Sequence, residues 1–292
     1  MLDSKRINEY RTKTFCIEKK YRLTTKEEAI QFANKRGFIF FWPIKNIVLP
    51  SLWTAIAGNR PVADQHDDPG HVSWSWKDSL LGSQHWYYAK VLRKRSTIIS
   101  LEVAPYFYAL SENYGSPEED YLTLYERGHM TQEAKTVYKI LLEQGSMDTI
   151  ALRRASHMTS KESDSRFSRA LTYLQAEFKI VPVGVTRSGG WRYAFAYDLV
   201  SRHYPDLLES ARHIQEQEAR ERLTEIYLQS VGAAQFQDVK KVFQWSVDHT
   251  IRAINGLENR GLIQQGLVHK DCSGDWIAIK DLTKNFPINH NQ

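Results

Sequence analysis

Three short helices followed by a β-hairpin occur twice along this chain, and that order predicts a mainly α protein with small β-hairpins: an α+β fold of tandem winged-helix (helix-turn-helix) units. The clearest copy spans 131–201 and the second spans 216–279. A third observation concerns capacity. The 292 residues are 42% hydrophobic and 12% aromatic, enough for real cores and too apolar for a disordered chain. No run approaches the roughly 18 apolar residues that a membrane helix needs. The start, MLDSKRINEYRTK, has no apolar segment of the secretory kind. The expected location is therefore the cytoplasm, with nucleoid association in a bacterium. Cys16 and Cys272 form no motif, so neither a disulfide scaffold nor a thiolate metal site is expected.

Taken in order, residues 1–22 are charged and weakly periodic and read as a loose tail. A first, degenerate winged-helix-like unit is expected over 23–128, with a long loop inside it. Thr24-Thr25-Lys26-Glu27-Glu28 offers a capping box, Ala29, Phe32 and Ala33 make a helical stripe, and Gly37 ends it. The run Phe38-Ile39-Phe40-Phe41-Trp42-Pro43 is too apolar to be exposed. A short helix follows over Pro50–Ala57, then loop-like sequence over 59–84. Residues 85–103 run aromatic, then basic, then β-branched. Pro105 starts a helix that ends near Gly115, and an acidic helix fills 118–127.

A second unit is expected over 129–204. Thr131 caps a helix through Leu142, a short helix covers 148–156, and a third runs from about Lys161 to Phe178. In that third helix Phe167, Ala170, Leu171, Leu174 and Phe178 recur at three- and four-residue spacing. Two strands, 180–185 and 193–197, flank a turn with two glycines. A third unit is expected over 205–285, with helices at 216–230, 236–242 and 246–260. The last of these reads as buried through Val247, Ile251, Ile254 and Leu257, and the hairpin 262–279 follows.

Charge is uneven. Residues 150–202 hold nine Lys/Arg against four Asp/Glu, which equals the whole chain's net charge of +5. A second cluster, Lys90-Val-Leu-Arg93-Lys94-Arg95, contains no acid. Localised positive charge fits a phosphate-bearing partner, and double-stranded DNA suits a helix-turn-helix unit. On a helical wheel the face opposite Phe167, Leu171 and Leu174 carries Lys161, Ser165, Arg169 and Thr172, flanked by Arg166 and Ser168. Arg153 and Arg154 precede it, and Arg187, Trp191 and Arg192 surround the hairpin tip. Arginines with short hydroxyls suit phosphate and base-edge contacts. These residues, with Lys90, Arg93, Lys94 and Arg95, are the candidate DNA contacts. The bland alternative is a solvated surface. The 246–260 helix mixes His249, Arg252 and Arg260 with Asp248 and Glu258, and is expected to pack or assist.

Candidate chemistry lies in one loop. His66-Asp67-Asp68-Pro69-Gly70-His71 puts two imidazoles and two carboxylates in six residues, which suits a general base or a metal ligand set. The spacing matches no metal template, so no metal or cofactor is expected, and Asp-Asp-Pro-Gly is also good turn sequence. Trp74, Trp76, Lys77, Asp78, Gln84, His85 and Trp86 crowd the next stretch. Aromatics there can stack on an unpaired base or simply form a core under the loop.

The phrases Gly37-Phe38-Ile39-Phe40-Phe41-Trp42-Pro43-Ile44-Lys45, His66-Asp67-Asp68-Pro69, Tyr87-Tyr88-Ala89-Lys90 and Phe107-Tyr108-Ala109-Leu110-Ser111-Glu112-Asn113, set in the tandem order above, resemble the AlkZ-like winged-helix DNA glycosylases (the AlkZ and YcaQ group) over about 24–280. The chain is most similar to the shorter AlkZ-related branch. The resemblance implies excision of alkylated bases or unhooking of interstrand crosslinks, with a Gln-x-Gln or Gln-x-Asp motif after the Gly-Phe entry positioning water. Here the motif positions are Phe40 and Trp42, which carry neither carboxylate nor amide. Gln235-Phe236-Gln237 spells the motif in the last unit and is read as coincidence. The expected function is thus a DNA-binding protein related to these glycosylases, recognising damaged or structured DNA with base excision reduced, lost or altered. One alternative is a winged-helix transcription regulator. Another is an active glycosylase using residues of the 64–86 loop, with Asp67, Asp68 and His66 as candidate catalytic groups.

Overall fold

The computed structural model describes residues 2–187 and 193–283. The chain separates into two compact units, Met1–Ser73 with Gln215–Gln292, and Trp74–Ile214. The first unit starts with α1 (Ser4–Thr14), α2 (Lys26–Arg36), β1 (Phe38–Phe40) and α3 (Leu52–Ala57). Helix α2 has the expected capping box: Thr25 accepts from the Glu28 N–H and Glu28 reaches back to the Thr25 N–H. Gly37, at φ 75°, ends it.

The expected loose tail is instead helical over Ser4–Thr14. Asp3 caps α1 by accepting the Lys5 N–H at 2.8 Å. Ile7 and Leu2 are buried with Ala233, Ala278 and Leu282. The Arg11 guanidinium donates to the carbonyls of Val231 at 3.0 Å and Ala233 at 2.8 Å. The Val231 carbonyl ends a later helix, where backbone acceptors lack intrahelical partners, and Ala233 opens the strand that follows it. A weak local pattern is thus fixed by contacts about 220 residues away in sequence.

Helix α4 (Val72–Leu80) crosses into the second unit, inside the stretch expected to be loop. Its Ser73, Lys77 and Leu80 are buried, which anchors a polar, aromatic segment without a local apolar stripe. The second unit continues with the antiparallel hairpin β2 (Tyr87–Lys90) and β3 (Ser96–Ile99), then α5 (Ala104–Tyr108) and α6 (Pro117–Glu126). Next come α7 (Gln132–Gln144), β4 (Met147–Asp148), α8 (Thr149–Ala155), α9 (Asp164–Ala176), β5 (Ile180–Thr186) and β6 (Ala194–Leu199). Three helices, a short strand after the first and a closing hairpin give the winged-helix order. Strand β6 is central, pairing with β4 at Met147 opposite Tyr197 and with β5 from Ile180 opposite Leu199 to Thr186 opposite Ala194. The register shifts between Pro182 and Gly184. The core joins Tyr121, Leu124, Val137, Leu141, Leu152, Phe167, Leu171 and Leu174. Short helices α10 (Val200–His203) and α11 (Pro205–Ala211) finish this unit.

The first unit resumes with α12 (Glu216–Val231), β7 (Ala233–Gln235), α13 (Phe236–Phe243), α14 (Val247–Asn259), β8 (Ile263–Leu267), β9 (Trp276–Ile279) and α15 (Lys280–Thr283). The order repeats that of α7–β6, with β9 central between β7 and β8. One expectation fails here. Val247 and Ile251 are exposed, at 49% and 43%. The buried stripe of α14 is Thr250, Ala253, Ile254 and Leu257, and at 100° per residue Val247 and Ile251 fall on its flank.

Candidate nucleic-acid interface

Helix α9 is held by its apolar face and by one arginine from α8. Phe167, Ala170, Leu171 and Leu174 are buried. Arg153 forms an ion pair with Asp164, donates to the Met158 carbonyl at 3.3 Å and lies over the Phe167 ring at 4.7 Å. Arg153 therefore locks the start of α9. The opposite face of α9 is open at Ser165, Arg166, Ser168 and Arg169. Lys161, expected within the helix, falls instead in the single turn Lys161–Ser163 before it, and is exposed like Arg154 on α8 and the acids Glu162 and Asp164. Arg166 reaches Glu133 at 3.5 Å, an exposed pair of little energetic weight. Arg154, Lys161 and Arg169 have no carboxylate within ion-pairing distance among the described residues. Thr172 is half-buried and its hydroxyl donates to the Ser168 carbonyl at 2.8 Å. Among the described residues α9 and its flanks thus present three cations without an ion-pair partner beside the exposed hydroxyls of Ser165 and Ser168.

The wing is tied down by an interaction that sequence reading misses. Lys77, on α4, is only 4% exposed. Its Nζ contacts Asp78 Oδ1 at 2.6 Å and donates to the Tyr193 hydroxyl at 2.8 Å. The Tyr193 hydroxyl donates in turn to Asp78 at 2.9 Å. Rings of Phe195, Tyr88 and Tyr193 surround the ammonium, 4.5–5.5 Å from Nζ. Burial lowers the Lys77 pKa, against the raising effect of Asp78. The partners lie 116 residues apart, so no local signal announces them. Arg187 is exposed at the end of β5, whereas Trp191 and Arg192 lie outside the described residues.

A second ionic cluster supports the base of the same module. Lys179 is buried and its Nζ donates to the Glu112 carbonyl at 2.7 Å and to Asn113 Oδ1 at 2.6 Å. Burial brings its pKa from the usual 10.5 to about 8, against the nearby carboxylates of Asp120, Glu177 and Glu112. Burial likewise raises Glu177.

The basic hairpin sits on α9, where the Lys90 N–H donates to Gln175 Oε1 at 3.2 Å. Lys94 and Arg95 are exposed, and Lys90 and Arg93 are half-buried. This brings the second basic cluster to the same unit as the α9 face, towards the helix's C-terminal end.

The candidate catalytic loop has a different character. Asp68 Oδ1 accepts from Arg60 at 2.6 Å and from the Gly70 N–H at 2.7 Å. Both bonds hold its pKa below the usual carboxylate value, so it braces a turn as an ion. His71 bonds to the Ala63 carbonyl at 2.9 Å and packs on Trp53. Asp67 and His66 are exposed. Among the described residues no group of three or more His, Cys, Asp or Glu could hold a metal ion. Phe40 is fully buried, with its N–H bonded to the Pro50 carbonyl at 3.0 Å, while Trp42 is 39% exposed and packs on Phe41. The two motif positions therefore divide, one into the core and one onto the surface. Gln235 is engaged at the start of α13: its N–H donates to Asp238 at 3.0 Å and its side-chain amide to the Ser273 carbonyl at 2.7 Å.

Helical modules closed by small antiparallel three-stranded sheets define an α+β fold. The solved structure of Streptomyces sahachiroi DNA glycosylase AlkZ is similar, with a TM-score of 0.60 over 97% of this chain and 71% of that chain at 10% identity. Residues 23–244 match the model of the AlkZ-related family, and the chain belongs to that family. No curated protein matches it.

Proposed function

We propose that this protein binds double-stranded DNA through α9 and its flanking loops, recognising damaged or structured DNA with base excision reduced, lost or altered. The observation that carries this reading is the outer face of α9 with its flanks: Arg169 on the helix, Lys161 in the turn before it and Arg154 on α8 stand without carboxylate partners among the described residues, and Ser165 and Ser168 are exposed on the helix. In a helix-turn-helix module the third helix enters the major groove and the hairpin reaches the adjacent backbone. Cations there neutralise phosphates, and the hydroxyls reach phosphate or base edges. The division into three winged-helix-like units, 23–128, 129–204 and 205–285, belongs to the same proposal.

The chemistry of Phe40 and Trp42 supports the second half. Neither side chain can orient water or stabilise a developing positive charge through a carboxylate. Asp68 is committed to Arg60 and Gly70. The test compares binding to matched duplexes, unmodified, alkylated and branched, and then assays base release as alkali-labile sites. The expected result is preference for the altered duplexes whatever their sequence, with little release. A preference for one sequence by about 4 kcal/mol or more over random DNA would favour a regulator instead. Robust excision would overturn the reading of Phe40 and Trp42. Loss of that excision in Asp67→Ala would then move catalysis to the 64–86 loop.

A further inference from the structure

The hairpin β2–β3 closes in a turn, Leu92–Arg95, in which the Arg95 N–H donates to the Leu92 carbonyl at 3.0 Å. Both central residues take the left-handed backbone: Arg93 at φ 57°, ψ 21° and Lys94 at φ 54°. Two consecutive left-handed residues define a type I′ turn, whose twist matches a hairpin and whose favoured sequence is Asn-Gly. Long L side chains are costly there because Cβ crowds the following carbonyl. Arginine and lysine occupy these positions, and the surrounding structure enforces them. The Thr97 hydroxyl, fully buried, accepts the Leu92 N–H at 3.1 Å and donates to the Arg95 carbonyl at 2.8 Å. Leu92 is buried beneath the turn.

Strain retained at such a point calls for a reason beyond the turn itself. Charge supplies one. Lys90, Arg93, Lys94 and Arg95 have no ion-pair partner among the described residues. The like charge of Arg95 adds to burial in lowering the Lys90 pKa, so the cations crowd one another. Lys94 acts on Glu177, which caps the C-terminus of α9, and there it complements the helix dipole. That role accounts for one cation at the tip and not for a run of three.

We infer that the Leu92–Arg95 turn is a second, separate clamp on the phosphate backbone of duplex DNA, its strained backbone kept because it splays three cations from a single tip. This rests on the proposal that the chain binds duplex DNA, and it adds a contact outside the α7–β6 module.

The test is the double variant Arg93→Asn, Lys94→Gly in the full chain, beside Arg93→Lys, Lys94→Arg and Arg169→Ala, all read by thermal unfolding and by duplex affinity against salt. The Asn-Gly variant is expected to unfold several degrees higher than the parent. It should also bind an unmodified duplex about tenfold more weakly, with a log–log salt slope shallower by about two. The charge-preserving swap should keep affinity within about twofold. Higher stability with unchanged affinity and slope overturns the clamp, and an unfolding temperature that does not rise overturns the argument from strain. If the parent binds no duplex, the proposed function itself fails. If Arg169→Ala weakens binding and the Asn-Gly variant does not, only the clamp falls.

Discussion

The module α7–β6 and the module α12–β9 share one element order and one sheet arrangement, with the last strand central in each. Their third helices differ in what they show to solvent. Helix α9 exposes Ser165, Arg166, Ser168 and Arg169, and its one acid, the exposed Asp164 at its start, is paired with Arg153. Helix α14 exposes Val247, Asp248, Ile251 and Arg252, and its charges are spent internally: Arg252 pairs with Asp248, and Arg260, just past its end, reaches Glu221 at 3.3 Å. The lesson is that the fold aims a helix outward while the side chains decide what it can hold. A cationic, hydroxyl-bearing face suits a polyanion; a neutralised face with two aliphatic side chains does not.

That contrast can be broken most sharply by removing the unpaired cations. Arg154→Ala, Lys161→Ala and Arg169→Ala together should lower duplex affinity by about 100-fold at physiological salt, since each phosphate contact adds to counterion release. Fluorescence anisotropy would measure it. Stability should stay within about 0.5 kcal/mol per site, as for surface substitutions elsewhere. Equal affinity in the triple variant would erase the distinction between α9 and α14.

The wing offers a second lever. Lys77→Met removes the ammonium from its aromatic cage and leaves Asp78 and the Tyr193 hydroxyl without it. Denaturant unfolding should show a loss of about 2 kcal/mol, because deleting one member of a buried pair strands the other. A neutral result would mean that the cage does not hold the wing.

Lys179 gives a pH signature confined to the α7–β6 module. Its folded pKa of about 8 lies below the ordinary 10.5. Between those values the unfolded chain holds a proton that the folded chain has released, so folding stability rises with pH through about 8 to 10.5. Below that window the cost of a buried cation is fully present. Relative to Lys179→Met, the parent should gain stability across the window, as read by denaturation midpoints at pH 7.5 and 9.5. A constant difference would contradict the lowered value.

The smallest effect is expected on the other module. Arg252→Ala with Arg260→Ala should leave duplex affinity within about twofold. A loss comparable to that of the α9 variant would make the two faces equivalent.

How much of this was legible in sequence follows from where the stabilising partners lie. The α9 stripe of Phe167, Ala170, Leu171 and Leu174 recurs at helical spacing, so the helix, its buried face and its basic outer face can be read locally. The capping box at Thr25 and the glycine stops are local too. Helix α1 was hidden because Ile7 is its only buried residue and the bonds of Arg11 go to carbonyls far along the chain. Helix α4 was hidden because its buried positions include Ser73 and Lys77, which no apolar pattern marks. The cage around Lys77 needs Tyr88, Tyr193 and Phe195 brought together by the fold. Val247 and Ile251 sit near helical spacing yet stay exposed, because the buried arc of α14 is narrower than its aliphatic pattern.

The decisive measurement is the salt dependence of duplex binding by the parent and by the Arg154→Ala, Lys161→Ala, Arg169→Ala variant. With α9 seated on the backbone, the log–log slope should become shallower by about 2–3 when three phosphate contacts are lost. Identical slopes for the two proteins would show that these cations never meet phosphate, and would remove α9 as the interface.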